Sequence, residues 1–200
     1  AALRGRMAIL DLLDLPAALP AYAPIVGLDP GEKTIGVAVS DVTRTVASPL
    51  ETIEKVQFTK DAERLFKLME SRGAVGIVIG LPMNMDGTEG VRCQSNRALG
   101  RNLLRLNPDL LITFWDERLS TAAVTRVLIE EHDVNRKRRA EVVDKMAAGW
   151  ILQGALERMR GIREAAGKRG AKAVVIGGKS MGGRIASMVA DEAGVAGLVC

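Results

Sequence analysis

The sequence predicts an α/β protein in which a mixed β-sheet is flanked by helices. Three observations predict it. Three β-branched or apolar runs follow one another between Ile25 and Ile53 with only turns between them. Beyond them, apolar runs alternate with stretches of helical spacing. One of these runs, Val75–Ile79, is apolar without interruption, as a strand buried on both faces is.

The elements follow in order. Met7 to Ala23 reads as a short helix broken by Pro16 and Pro20. Ile25–Asp29 is a short apolar strand that ends in a carboxylate, and Pro30-Gly31 turns it into the β-branched strand Thr34–Ser40, forming a hairpin. A third strand is expected over Thr45–Ile53. Asp61 to Arg72 places Ala62, Leu65, Phe66 and Met69 at helical spacing, and Gly73 ends it. After the strand Val75–Ile79 come a loop (Leu81–Gly90), a helix over 91–106, a strand over Leu110–Trp115, a helix over 121–130, a charged loop and a long helix over 140–158.

The last 40 residues start the pattern again, with Ile162–Arg169 helical, Ala173–Ile176 a strand, Arg184–Ala193 a helix and Leu198–Cys200 the start of a strand. They hold six Lys/Arg against three acids, a net +3 of the chain's +4, so the first 160 residues are close to neutral. The division expected is therefore an extension over 1–23, a main domain over 24–160 and an incomplete β-α fragment over 161–200. With Met7 at a natural start, both ends read as fusion or gene-fragment boundaries.

Composition excludes several function classes. With 48% hydrophobic residues among 200, the chain can bury a core. No apolar run approaches the roughly 18 residues of a membrane span, and the opening residues are not those of a signal peptide. Cys93 and Cys200 form no disulfide or metal framework, which suits a reducing cytoplasm. A single histidine rules out a His-based zinc cage, and 3% aromatics rule out an interleaved aromatic RNA platform. A pI near 9.3 is compatible with nucleic acid, but on the main body any such surface must come from clustering.

Three carboxylates stand out. Asp29 closes an apolar strand, Glu117 follows the strand Leu111–Trp115, and Asp144 lies on a helix face with Ala147, Ala148 and Ile151, small enough to let the helix approach a sheet closely. Singly, each has a structural use: capping the turn, pairing Arg118, or pairing on a helix surface. Together, two strand ends and a helix can bring them to one sheet edge. There they would repel unless a divalent ion such as Mg²⁺ or Mn²⁺ joined them. Two such ions about 4 Å apart can activate water and stabilise the leaving oxygen of a phosphodiester.

The segments Gly27-Leu-Asp-Pro-Gly-Glu-Lys-Thr-Ile-Gly-Val-Ala-Val-Ser-Asp41, Gly80-Leu-Pro-Met-Asn-Met-Asp-Gly-Thr-Glu-Gly90, Asp116-Glu-Arg-Leu-Ser-Thr121 and the helix Val143–Gln153 carry a resemblance. Over about Met7 to Arg160 the chain resembles the YqgF/RuvX family of RNase H-like proteins, described as pre-16S rRNA nucleases and as Holliday junction resolvases. The resemblance implies an RNase H-like fold and a metal-dependent nuclease. Asp29, Glu117 and Asp144 would be its catalytic acids and metal ligands, precursor rRNA its substrate, and branched DNA the alternative. Glu32 departs from the family's usual Thr in the hairpin turn and leaves the acids untouched.

Around these acids, Asn84, Asp86 and Thr88 of the loop, together with Arg118, are candidates for contacting the substrate backbone; the loop residues also suit a self-held polar turn. Arg97, Arg101 and Arg105 share one helix face, and Arg136, Lys137, Arg138 and Arg139 form a second basic cluster; both suit phosphates or a solvated surface. His132 reads as an exposed loop residue, and Trp115 and Trp150 as core. A homodimer is compatible with the sequence.

Two other function classes compete. Gly178-Lys-Ser-Met-Gly182 is a G-x-S-x-G motif between a strand and an expected helix, and Ala173–Gly194 resembles the α/β-hydrolases, in particular dienelactone-hydrolase-like members. No histidine follows Ser180, so that serine lacks its base. Asp29-Pro-Gly31 with Gly36 also resembles the phosphate hairpin of actin-like ATPases. That reading would leave Glu117 and Asp144 without a role, and the chain is too short for the second subdomain it needs.

Overall fold

Short β-branched segments joined by tight turns pair locally, and the computed structural model shows this between residues 25 and 54. It describes the backbone of residues 8–119, 136–168, 173–178, 185–191 and 194–199, and side chains over 9–118 and 144–161. Strand β2 (Val26–Pro30) pairs antiparallel with β3 (Thr34–Ser40), which pairs antiparallel with β4 (Ala47–Glu54). Helix α2 (Phe58–Arg72) then crosses back, with Gly73 closing it in the left-handed region, and β5 (Gly76–Leu81) lies parallel to β2. Helix α3 (Val91–Leu106) leads to β6 (Leu111–Asp116), parallel to β5. The mixed sheet expected from the sequence is thus observed.

The N-terminal stretch departs from expectation. Ala8–Leu10 is not helical: it forms β1, parallel to β6, and completes a six-stranded sheet of order β1-β6-β5-β2-β3-β4. Among the described residues there, the helix is α1, Leu15–Ala18. Proline is tolerated only in the first turn of a helix, so Pro16 lets a helix begin at Leu15 but not run through from Met7, and Pro20 stops it. Leu12, Leu15 and Leu19 are core residues, so this stretch is part of the domain and not an appended extension.

Helix α4 (Arg136–Lys168) also differs from expectation at both ends. Arg136–Arg139, expected in a charged loop, form its first turn. Basic residues oppose the helix dipole there, but Arg and Lys are good helix formers. At the other end the helix passes through Arg160–Gly161 without a break, so no backbone feature marks the expected boundary.

Two apolar layers sandwich the sheet. On one face α2 and α3 cover Val26, Leu28, Ile35, Val37, Ile77, Ile79 and Ile112. On the other, α1 and α4 cover Ile25, Ala38, Val78 and Trp115. All five residues of β2 are buried, as a central strand requires. Trp115 is core as expected, whereas Trp150 is only half-buried.

Beyond α4, β7 (Ala173–Gly178), β8 (Ile185–Asp191) and β9 (Gly194–Val199) form a separate three-stranded antiparallel sheet. Where a helix is expected over Arg184–Ala193, the described residues Ile185–Asp191 form a strand instead. Ile185–Asp191 is short and contains Ile and Val, and its pairing with β7 outweighs the helical spacing. Ser180, His132 and the helix expected over 121–130 lie outside the described residues.

Candidate active site

Strands β2, β5 and β6 run in the same direction, and β3 enters at the end where they leave. The carboxyl end of the sheet therefore collects Asp29, Gly80, Asp116 and Thr34. Ligand sites in open α/β sheets form at this end.

Two glycines shape the site. Asp29 pairs directly with Gly36 on β3. The β2–β5 register runs through Leu28↔Ile79, so Gly80 lies level with Asp29 on its other side. A Cβ on Gly36 would overlap the backbone carbonyl of Asp144, so helix α4 comes down onto the sheet there. A Cβ on Gly80 would lie 2.5 Å from Glu117 Oε1, so the Glu117 carboxylate occupies the space a side chain would fill. The residues flanking Asp29 thus bear the other two acids. The approach is close because α4 presents fully buried Ala147, Ala148 and Ile151 on the same face as Asp144, as their spacing predicts.

Asp29 and Glu117 are 2% and 8% exposed, burial that carboxylates tolerate only with compensating partners. Asp144 is half-buried, and its Oδ2 accepts a 2.6 Å hydrogen bond from Thr34 Oγ1. Among the described residues, no three His, Cys, Asp or Glu side chains close on one point as a finished metal cage. The donor set is nonetheless all carboxylate and hydroxyl oxygen, the chemistry that suits a hard divalent cation.

Residues not singled out in the sequence hold this arrangement. Asn96, buried on α3, donates from Nδ2 to the Gly80 carbonyl at 2.7 Å. It sits among Cys93, Gly100 and Leu103 on the buried stripe of α3, and a polar residue on such a stripe is the signal that could have found it. Lys55 Nζ donates to the Gly31 carbonyl, bracing the turn after Asp29. Desolvation holds this ammonium below the ordinary lysine range; Asp61 and Asp29 pull it back up, and Arg92 pushes it further down. Gln153 pins α4 to the sheet, its Oε1 accepting from the Ala47 amide at 2.9 Å.

The loop after β5 is held by its own side chains. Asn84 Nδ2 donates to Thr88 Oγ1, and Thr88 donates to Asp86 through both Oγ1 and its amide. These bonds from Thr88 keep the Asp86 carboxyl below the usual range. Arg118 pairs with Asp116 at 2.6 Å, not with Glu117, and also donates to the Asn84 carbonyl at 3.4 Å. Arg97 is paired with Glu89 and lies 4.9 Å from the centre of the Phe114 ring. Arg105 donates to Asn102, and Arg101 is exposed. The side chains of Arg136, Lys137, Arg138 and Arg139 lie outside the described residues.

Comparison with known proteins agrees with the resemblance. Residues 23–158 match the RuvX family model, described as Holliday junction resolvase, and residues 130–200 match an alpha/beta hydrolase domain model. A relative from Caulobacter vibrioides named "Putative pre-16S rRNA nuclease" is 83% identical over 156 residues, which cover 78% of this chain and all of that relative. One of the same name from Phenylobacterium zucineum is 70% identical with the same coverage. Among solved structures, RuvC of T. thermophilus in complex with a Holliday junction substrate is similar at TM-score 0.44 and 10% identity, covering 70% of this chain and 97% of that one.

Proposed function

The chain belongs to the RuvX family, and from that premise we propose that it is a metal-dependent nuclease that hydrolyses phosphodiester bonds at the 5′ end of precursor 16S rRNA. The observation that supports this most is the grouping of three acids around Asp29, with Glu117 over Gly80 and the Asp144 backbone over Gly36. Structural ion pairing would not need two buried carboxylates beside two side-chain-free positions at the carboxyl end of a sheet. The names of the relatives support rRNA as substrate.

In this reading Asp29, Glu117 and Asp144 hold Mg²⁺, or Mn²⁺ in its place. When bound, such an ion supplies charge neutralisation and Lewis-acid polarisation of the phosphodiester. The chain supplies the rest. Thr34 orients Asp144 through its hydroxyl, and Asn96 fixes the strand under Glu117. Arg118, Asn84, Asp86 and Thr88 border the substrate at the end of β5. Arg97, Arg101, Arg105 and Arg136–Arg139 contribute attraction to phosphates without reading sequence. The nuclease unit spans 24–160 together with the N-terminal strand, and residues 161–200 are not needed for it. It acts in the cytoplasm; no helix among the described residues is long and apolar enough to cross a membrane. A homodimer is compatible with this reading, since all three acids come from one chain.

Branched DNA is the second reading, favoured by the description of the matching family model. Labelled precursor 16S rRNA and a four-way DNA junction, each with Mg²⁺ or EDTA, decide between the two. Cleavage of the RNA with Mg²⁺ alone is expected, and its loss in Asp144→Asn with unfolding temperature unchanged. Cleavage of the junction and not the RNA would replace the first reading with the second. Full activity of Asp144→Asn would remove that residue from the site.

A further inference from the structure

On the opposite face of the sheet, the carboxyl end of β2 opens into a cavity of about 380 Å³ between α2 and α3, within the size range of small-ligand sites. Pro30, the residue after Asp29, and Ile35 form one wall. The buried part is formed by Ala62, Leu65 and Leu103, with the buried Asn96 amide among them. The outer part carries Lys55, Gln57 and the Phe58 ring, which is 37% exposed at the start of α2.

These features favour one kind of occupant. An apolar slot with an exposed aromatic ring suits a flat π-system, and Gln57 and Asn102 place amides, each both donor and acceptor, along it. Unpaired RNA bases are recognised in this way, by stacking on aromatic side chains and by hydrogen bonds to their edges. Lys55 lines the cavity together with Asp61 and donates to the Gly31 carbonyl, two residues beyond Asp29, near enough for the charges of Asp61, Arg92 and Asp29 to act on its ammonium. A strand whose base fills the cavity would pass its phosphate over that ammonium toward the acids. Asn96 lines the cavity and also holds Gly80, so the cavity wall and the support under Glu117 share a side chain.

We propose that this cavity is a base subsite: it takes one unpaired nucleobase of the RNA strand, stacked on Phe58, with Lys55 on the phosphate that leads to the catalytic acids. The inference rests on the nuclease reading and adds to it a requirement for a locally single-stranded substrate.

The test uses 2-aminopurine riboside 5′-monophosphate, whose fluorescence is quenched by stacking and which has no phosphodiester to cleave. It is titrated into the full chain with Mg²⁺. Saturable quenching is expected, weakened about tenfold by Phe58→Ala and abolished by Ala98→Trp, which fills the cavity from α3. UMP should compete well and inorganic phosphate at least tenfold less. Thermal unfolding of both variants checks that they are folded. Absence of saturable quenching overturns the proposal, as does quenching that both folded variants leave unchanged, or phosphate competing as well as UMP. Cleavage of precursor rRNA is scored separately. If the wild type cleaves RNA while Phe58 proves irrelevant to nucleotide binding, the subsite fails and the nuclease reading stands. If nucleotide binding depends on Phe58 but no RNA is cleaved, the subsite stands and the nuclease reading fails.

Discussion

Replacing Gly80 by Ala tests the packing around the proposed active site. The added methyl would lie 2.5 Å from Glu117 Oε1 and 2.7 Å from Ile151 Cδ1, where ordinary contact is 3.4–4 Å. One or both neighbours must therefore retreat by about 1 Å, the shortfall in that contact. Ile151 is fully buried on the sheet-facing side of α4 and has little room to move, whereas Glu117 begins a short 3₁₀ turn and can yield. Overpacking of this kind costs about 1–3 kcal/mol, a fall in Tm of about 2–12 °C for a chain of this size. A misplacement of about 1 Å at a reacting group costs about 100-fold in rate. We expect Gly80→Ala to lower kcat for rRNA cleavage about 100-fold with KM changed far less, because the basic residues that attract phosphate lie on α3 and at the start of α4. The control is Gly161→Ala, whose Cβ meets nothing within 4 Å inside a helix; it should leave activity intact and raise stability slightly. Single-turnover cleavage and thermal melts of the three proteins decide the matter. A Gly80→Ala protein with wild-type kcat would refute the assignment of Glu117 to the reacting centre.

Other expectations follow from the same geometry. Replacing Arg136, Lys137, Arg138 and Arg139 together by Ala should weaken binding to all RNA sequences alike and reduce the slope of log K against log salt by up to about three; an unchanged slope would make the cluster a solvated surface. Although desolvation pushes the Asp41 carboxyl up, hydrogen bonds from the Thr43 hydroxyl and the Val46, Thr45 and Thr43 amides outweigh it and hold it at about 2, below the ordinary 3.8. Its contribution to stability is therefore complete above about pH 4 and lost as pH falls through about 2. The Tm gap between wild type and Asp41→Asn should be present at pH 5 and close by pH 2, and a gap that persists unchanged would argue against the charged hydrogen-bonded role. A chain ending at Arg160 retains Met159, the last described core residue of α4. It should fold and cleave as the full chain does, and a fluorophosphonate probe should leave Ser180 unlabelled; loss of folding or labelling of Ser180 would make the tail a working part.

Periodicity and turn chemistry made most of the fold legible in the sequence. The hairpin pair, the buried strand β5 and helices α2 and α3 are local patterns of one residue type at one spacing, and all lie close to where the sequence predicts them. The candidate acids stand out in the sequence for a related reason. A carboxylate at the end of an apolar run is a local anomaly, and the small face of α4 is visible in the spacing of Asp144, Ala147, Ala148 and Ile151. Structure departs from local pattern where a distant partner decides the local state. Ala8–Leu10 becomes a strand only because the edge of β6 offers it hydrogen bonds, and Ile185–Asp191 only because β7 does.

Neighbouring residues alone therefore carry the strand and helix order from β2 to β6 and mark Asp29, Glu117 and Asp144 as candidate acids. Which residues surround those acids was decided by tertiary structure alone. Thr34 reaches Asp144 across 110 positions of sequence, and Gly80 lies under Glu117 because parallel pairing of β5 and β6 brings the two strand ends together. Asn96 grips Gly80 from the opposite face of the sheet, and Lys55 returns to the turn at Gly31 from the end of β4. No local pattern encodes such meetings, because they depend on strand register and on how closely a helix can approach a sheet. Both are set by the packing of the whole domain.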